Sequence, residues 1–557
     1  MTIEEFREKY SLPNYLGTLQ SYYKWNKRIF FEKIIKQLDI KRSCCLLAGP
    51  RKCGKTTLMY QVAYYYKDSS VYIDMKDILD INSTKLNECE NIKSKKSKFL
   101  EDLNSLIYGN KDKHLIILID EVSYEGFIQD FYSTFVGIPE NVSFCLTGSQ
   151  SYYLKRFVMS RYSCICTILN IPYLSFYEYC IFEGFIRRDV KTHKLHDEQF
   201  LEMCRNSNFC TKNDYIHYLS YESRMFGNEF YPKMFIRSCL YETIESNSKS
   251  LLTKYGINYS KSDLVEFNER CWRILQQIVL KGQGPTSQKN RKDENSIYSL
   301  RQLFGWIKSV GIKITDRTKE LILEYFNNIV LSPKDKEVKE INCALSFLVD
   351  CGLVTRAHEN EIRQINEDNV LTQVVNFNCK YPVFYAATIK GFIEDFVDSI
   401  YSGNWISDDE ITEEVIKDLD VLSNVESSFL FNNRVLGSLY ECDVFGTYSI
   451  LNRKPDIISL KKGRSDGPEV DYVGSEEDEY VELTIAASHR SNWAEFPETK
   501  GSKKIITTME AFGEDSVSYE DGSEENVRKI PCGMFLAELG SHIVDNCIEH
   551  LRLMDTF

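Results

Sequence analysis

The stretch Gly49-Pro50-Arg51-Lys52-Cys53-Gly54-Lys55-Thr56-Thr57 has the residue types and spacing of a phosphate-binding loop, Gly-x-x-x-x-Gly-Lys-Thr. Gly49 and Gly54 permit a backbone that turns successive N–H groups inward around the β- and γ-phosphates of ATP. Lys55 adds a point charge there, Thr56 offers its hydroxyl to Mg²⁺, and the helix N-terminus that follows favours an anion. About 65 residues on, His114-Leu-Ile-Ile-Leu-Ile-Asp120-Glu121 is an apolar run ending in two carboxylates. Asp120 is expected to hold Mg²⁺ through its water shell, and Glu121 to orient and deprotonate the attacking water. A third run, Val142 to Thr147, ends in Gly148-Ser149-Gln150. Ser149, with Thr147 as second choice, is placed to contact the γ-phosphate or the attacking water. A helix N-cap following a strand explains the same serine equally well.

These groups need elements to hold them. Cys44 to Ala48 predicts a buried strand, Thr57-Leu-Met-Tyr-Gln-Val-Ala a helix, and Val71-Tyr-Ile-Asp-Met another strand before the Asp-Glu run. In parallel α/β sheets, ligands gather at the C-terminal strand ends, where Asp120 and Glu121 fall. The chain has 557 residues, too many for one core, so three or more domains are expected. With 43% hydrophobic and 27% charged residues, it has the composition of a globular protein and not of a disordered or fibrous one. No apolar run nears the ~20 residues of a membrane span, and Met1-Thr-Ile-Glu-Glu-Phe-Arg is no secretion signal. The 18 cysteines are diluted and partly set in apolar runs, which fits reduced thiols in a cytoplasmic protein. Charge is uneven. From Tyr401 onward 14 Lys and Arg stand against 32 Asp and Glu, a net of −18, whereas residues 1–400 carry +5. The acidic part would repel a phosphate backbone unless metal ions intervened.

The phosphate loop, the Asp-Glu strand, the Thr-Gly-Ser tip, Ser160-Arg161 and Leu174-Ser175-Phe176-Tyr177-Glu178-Tyr179 follow in that order. In this the chain resembles the prokaryotic AAA-type ATPases related to the STAND signalling ATPases. The resemblance implies an ATPase that uses ATP and Mg²⁺, carrying in many members a winged helix and a C-terminal nuclease-like domain. Arg161 matches the arginine of the family's Gly-Arg pair, while Ser160 stands where the glycine would be. By resemblance Arg161 contacts the γ-phosphate, in cis or from a neighbouring subunit. Ser175 and Glu178 have a local explanation as a capping box.

The expected fold class is α/β: a P-loop parallel-sheet core, then an α-rich winged helix and a C-terminal α/β restriction-endonuclease-like domain. The expected boundaries are a helical lead-in at 1–40, the core at 41–185, a helical connector at 186–264, the winged helix at 265–360, a connector at 361–400 and the acidic domain at 401–557. Within the winged helix, helices from Ser299 and Thr315 flank a turn at Gly311. Lys281, Lys289, Arg291, Lys292, Lys308 and Lys313 supply charge for DNA contact; a helical adaptor packed on the ATPase is the alternative. His193, His196, Cys204 and Cys210 are too irregularly spaced for zinc and fit a solvated surface better. In the acidic domain Glu441, Asp471 and Glu482 resemble the carboxylates of a PD-(D/E)xK nuclease core, but Thr484 stands where the lysine belongs. Lys500, Lys503 and Lys504 are the nearby cations. The expectation is a degenerate nuclease fold that contacts a protein partner, with an ATP-gated nuclease and an ATP-bound switch of little turnover as alternatives.

Overall fold

The computed structural model describes residues 1–80, 91–135, 137–148, 154–155, 157–158, 166–186, 212–225, 261–281, 300–309, 311–329, 338–350, 352–365, 368–403, 411–424, 433–451, 457–462, 469–470, 472–473, 479–483, 493–495, 500–508, 513–543 and 548–549. The chain divides into two compact units. One contains Met1–Leu174, Glu245–Gly256 and Val544–Phe557, the other Ser175–Ile244 and Ile257–Ile543.

The first unit begins with α1 (Ile3–Tyr10), α2 (Tyr15–Tyr23) and α3 (Phe31–Leu38). It continues through β1 (Ser43–Ala48), α4 (Lys55–Tyr65), β2 (Ser70–Asp74), α5 (Met75–Leu79), α6 (Ile92–Gly109), β3 (Leu115–Asp120), α7 (Phe127–Thr134), β4 (Val142–Thr147) and β5 (Cys166–Asn170). The strands form one sheet in the order β5-β1-β4-β3-β2, all parallel, and Ile548–Glu549 adds an antiparallel strand outside β5. Every residue of β1, β3 and β4 is buried, which is why these segments are continuous apolar runs and not alternating ones. The lead-in is built into this unit. Phe6 and Tyr10 of α1 are fully buried, Tyr10 meets Phe99 of α6 edge-on at 5.1 Å, and Arg7 donates to the Ser70 carbonyl where β2 starts. Phe31, Ile34, Ile35 and Leu38, one face of α3, pack on β1.

The second unit opens with α8 (Phe176–Phe182), α9 (Lys212–Met225), α10 (Lys261–Lys281), α11 (Arg301–Ser309), α12 (Asp316–Ile329) and α13 (Val338–Asp350). The hairpin β6 (Val354–Ile365) and β7 (Asp368–Cys379) follows, then α14 (Pro382–Tyr401), α15 (Glu413–Ser423) and α16 (Asn433–Ile450). Last come β8 (Ile457–Lys462), β9 (Glu469–Val470), β10 (Tyr472–Val473), β11 (Glu479–Glu482), β12 (Lys503–Thr508), β13 (Gly513–Ser518), β14 (Glu524–Pro531) and α17 (Cys532–Ser541). One sheet runs β7-β6-β8-β9 and the other β10-β11-β12-β14-β13, so the strands on either side of position 471 belong to different sheets. Gly311 and Gly352 adopt positive φ at the turns after α11 and α13.

Asp443 of α16 lies buried beside α9, where the Tyr215 hydroxyl donates to it at 3.4 Å. Burial pushes its carboxyl up to about 7, against the opposing hydrogen bonds of Tyr215 and Tyr218. The folded state therefore binds a proton that the unfolded state has released, and stability falls as pH rises from about 4 to about 7. Asp443→Asn removes that penalty. It is expected to raise the melting temperature by several degrees at pH 8, with the gain shrinking toward pH 4, as thermal melts across that range would show.

Candidate active site

The phosphate loop leaves β1 at Gly49 and enters α4 at Lys55. A Cβ on Gly49 would sit 2.1 Å from the Ile171 carbonyl oxygen just beyond β5, so only glycine passes here. Lys52 (φ 63°) and Gly54 (φ 88°) are both left-handed, the kind of local geometry that gathers backbone N–H groups into an anion-binding concavity. The Lys55 ammonium is folded into the loop, donating to the carbonyls of Gly49 (3.1 Å) and Pro50 (2.8 Å). Outside the loop stands a brace. The buried Arg28 guanidinium donates to the Cys53 carbonyl (2.7 Å) and to those of Pro172 (3.1 Å) and Tyr173 (3.3 Å). The Tyr173 hydroxyl returns to the Arg51 carbonyl at 2.9 Å.

Strand β4 lies between β1 and β3, yet the loop and the acidic strand end meet across it. Thr56 Oγ1 donates to Asp120 Oδ2 at 2.7 Å. The same oxygen accepts from the Tyr72 hydroxyl at 3.1 Å, and Asp120 Oδ1 accepts from the Glu121 N–H at 2.8 Å. Burial pushes the Asp120 carboxyl upward and the Thr56 hydrogen bond opposes it. Asp74, opposite Asp120 in the β2–β3 register, is raised to about 6 by burial and then by Asp120 and Asp77. Glu121 turns out of β3 in the left-handed region (φ 49°), and the Val122 N–H clamps that turn to the Thr147 carbonyl at 3.0 Å. Its side chain is half-buried at the strand end. A non-glycine residue held in this conformation is strained backbone of the sort found at working sites.

Thr147 departs from its expected place. It is fully buried, and its hydroxyl donates at 2.9 Å to the Leu47 carbonyl on β1, so it belongs to the sheet and not to a polar tip. Ser149, Ser160 and Arg161 lie outside the described residues, as do His193, His196, Cys204, Cys210, Lys289, Arg291 and Lys292. Ser175 and Glu178 form the capping box of α8, with N–H to side-chain distances of 3.2 and 3.4 Å.

In the second unit α12, the helix that follows the Gly311 turn, faces solvent with Asp316, Glu320 and Glu324. Its two cations are engaged by these acids: Arg317 with Glu320 (3.3 Å) and Glu324 (3.8 Å), Lys319 with Asp316 (2.7 Å). The opposite face packs Tyr325 and Phe326 on Phe392 of α14, and Asp418 of α15 accepts from Thr315 and Thr318 at the helix start. On this face three acids stand against two cations. Glu482 is buried at the end of β11, Glu441 lies half-buried on α16, and Asp471 and Thr484 are outside the described residues. Lys500 is ion-paired to Asp521 and Lys504 to Glu525. Among the described residues no group of three or more His, Cys, Asp or Glu is arranged to hold a metal ion, and no helix is long and apolar enough to cross a membrane. The described cysteines are all buried, and none of them is in a disulfide.

Three residues of the site, Arg28, Tyr72 and Tyr173, have no motif to mark them. The nearest signal is an arginine just ahead of the amphipathic α3, which in sequence looks like ordinary solvated charge.

No curated protein matches the chain. Among solved structures, C. elegans PCH-2 is 16% identical with a TM-score of 0.19, covering 35% of this chain and 55% of that one, about half its length. A point mutant of Thermotoga maritima RuvB is 15% identical with a TM-score of 0.21, covering 61% of this chain and 92% of that one. TM-scores at this level assign no fold. The sequence itself is more informative: residues 41–180 match the model of the AAA domain, a family of nucleotide-binding ATPases, over the segment that carries the loop, the acidic strand end and the parallel sheet.

Proposed function

We propose that residues 41–180 bind ATP with Mg²⁺ and hydrolyse it to ADP and phosphate. One observation carries this reading: the 2.7 Å hydrogen bond between Thr56 and Asp120, which unites the phosphate loop with the acidic strand end. A hydroxyl and a carboxylate together are a hard oxygen donor set that fits Mg²⁺. Thr56 would hold the ion directly and Asp120 through water, and the ion would neutralise charge on the β- and γ-phosphate oxygens. Lys55, released from the Gly49 and Pro50 carbonyls, binds the same phosphates. Glu121 takes the proton of the attacking water, and Ser149 and Arg161 contact the γ-phosphate. The remainder of the chain converts nucleotide state into contacts: residues 265–360 as a winged-helix adaptor, residues 401–557 as a nuclease-like module that engages a protein partner. The acidic face of α12 favours a protein adaptor over a reader of DNA.

Single-turnover hydrolysis tests the assignment. Wild type is expected to turn over one ATP per site, and Lys55→Ala to lose nucleotide binding. Glu121→Gln is expected to retain ATP while hydrolysing it at least ~100-fold more slowly, as for a lost general base. Equal rates for wild type and Glu121→Gln would remove Glu121 from the mechanism. Nucleotide that copurifies with negligible turnover would favour a switch, and stimulation by added DNA would favour a DNA-dependent motor.

A further inference from the structure

We propose, on the footing of that ATP–Mg²⁺ reading, that Tyr72 is a positioning residue for the metal site. Its hydroxyl fixes the carboxylate of Asp120 so that the Mg²⁺ water shell meets a preset acceptor. Tyr72 is fully buried in the middle of β2, where phenylalanine would fill the same space without a polar atom to satisfy. Its hydroxyl donates to Asp120 Oδ2 at 3.1 Å, beside the 2.7 Å bond from Thr56. The ring is held edge-on by Tyr60 of α4, with centroids 4.7 Å apart. The backbone carbonyl is held by the Ser11 hydroxyl at 2.8 Å. Tyr72 thus ties three elements together: the α1–α2 turn, the helix that carries Lys55 and Thr56, and the end of β3.

The Glu121 N–H holds the other carboxylate oxygen, so Asp120 is held at three points and cannot rotate. The cost of ordering the carboxylate is thus met by folding and not by metal binding. Without the Tyr72 hydroxyl, Oδ2 would keep only the Thr56 donor, and the carboxylate would be held at two points and not three. Loss of hydrogen bonds that orient metal-site groups typically costs ~10–100-fold in metal affinity. Asp120 acts through water, so the lower end of that range is expected here.

The test is Tyr72→Phe in the full chain, with a fluorescent ADP as probe. Nucleotide affinity is measured in EDTA, and then the Mg²⁺ concentration that gives half of the metal-dependent tightening. Unchanged affinity in EDTA with about a tenfold rise in the Mg²⁺ midpoint supports the proposal. An unchanged midpoint overturns it, and so does an equal loss with and without metal, which would mean general damage to the fold. The same titration in an Asp120→Asn background is the second measurement. There Tyr72→Phe is expected to change nothing further, and an additive loss overturns the proposal even if the single variant is less stable. Wild type that binds no nucleotide fails the ATPase reading itself, whereas wild type with a Mg²⁺ response that Tyr72→Phe reproduces fails only this proposal.

Discussion

Gly49→Ala is expected to abolish nucleotide binding, a loss of more than ~100-fold in affinity for ADP or ATP. The new Cβ would stand 2.1 Å from the Ile171 carbonyl oxygen, and both partners are backbone, so no side-chain rotation relieves the overlap. The Ile171 N–H is itself bonded to the Ala48 carbonyl at 2.6 Å, which pins the residue whose carbonyl oxygen would have to move. The loop must therefore be displaced from β1, and with it the backbone groups meant for the phosphates. Overpacking of this kind also costs ~1–3 kcal/mol of stability. Equilibrium binding of a fluorescent ADP reads the first effect and a urea melt the second. Binding within tenfold of wild type would show that the exit of β5 is softer than its hydrogen bonds suggest. Gly54→Ala meets no atom nearer than 3.9 Å, and its penalty comes from φ alone, so its effect is expected to be smaller.

Arg28→Met is expected to be the most destabilising single change in the first unit, by about 3–5 kcal/mol. Three carbonyls, those of Cys53, Pro172 and Tyr173, lose a shared donor in a place where water does not replace it. Arg28→Lys is not expected to rescue. One ammonium is a point donor, whereas the guanidinium fork reaches the phosphate loop and the segment after β5 at once. Chemical denaturation gives the magnitude, and nucleotide affinity is expected to fall alongside it as the loop loses its outer support. A lysine variant as stable as wild type would mean that charge, not the fork, is what matters at this position.

The parts of the site that could be read from sequence are the parts whose chemistry is contiguous. A phosphate loop needs its glycines, lysine and threonine within nine residues, and Asp120 and Glu121 are adjacent at the end of one apolar strand. Arg28 and Tyr72 were not legible for the opposite reason. Their partners are remote in the chain: Cys53 and Tyr173 for the one, Asp120 for the other. Thr147 misled because a polar residue ending a strand looks like a tip. Its register beside Leu47 of β1 makes it part of the sheet interior. The parallel character of the core followed from its continuous apolar strands, but the insertion of β4 between β1 and β3 has no signature in any one segment. Near Gly311 the lysines suggested a basic surface. Helical spacing adds what composition hides, since Asp316, Glu320 and Glu324 share the outward side of α12 while Lys308 and Lys313 are exposed just before it. The independent-looking lead-in was a matter of composition: its charges are plain in the sequence, whereas the burial of Phe6 and Tyr10 against α6 depends on a helix almost ninety residues on.

The antiparallel strand on β5 has a consequence for how the protein is made. Ile548 pairs with Leu169, partners about 380 residues apart in sequence. At the ~5–20 residues per second of ribosomal synthesis, the outer edge of β5 stays uncovered for roughly 20–80 s after β5 itself has emerged. During that interval a row of unpaired backbone donors and acceptors stands open beside the strand that buttresses the phosphate loop, a template for pairing with another nascent chain. A strand made about 380 residues later closes the first sheet to appear, so that sheet acquires its protected edge long after its parallel strands have been synthesised.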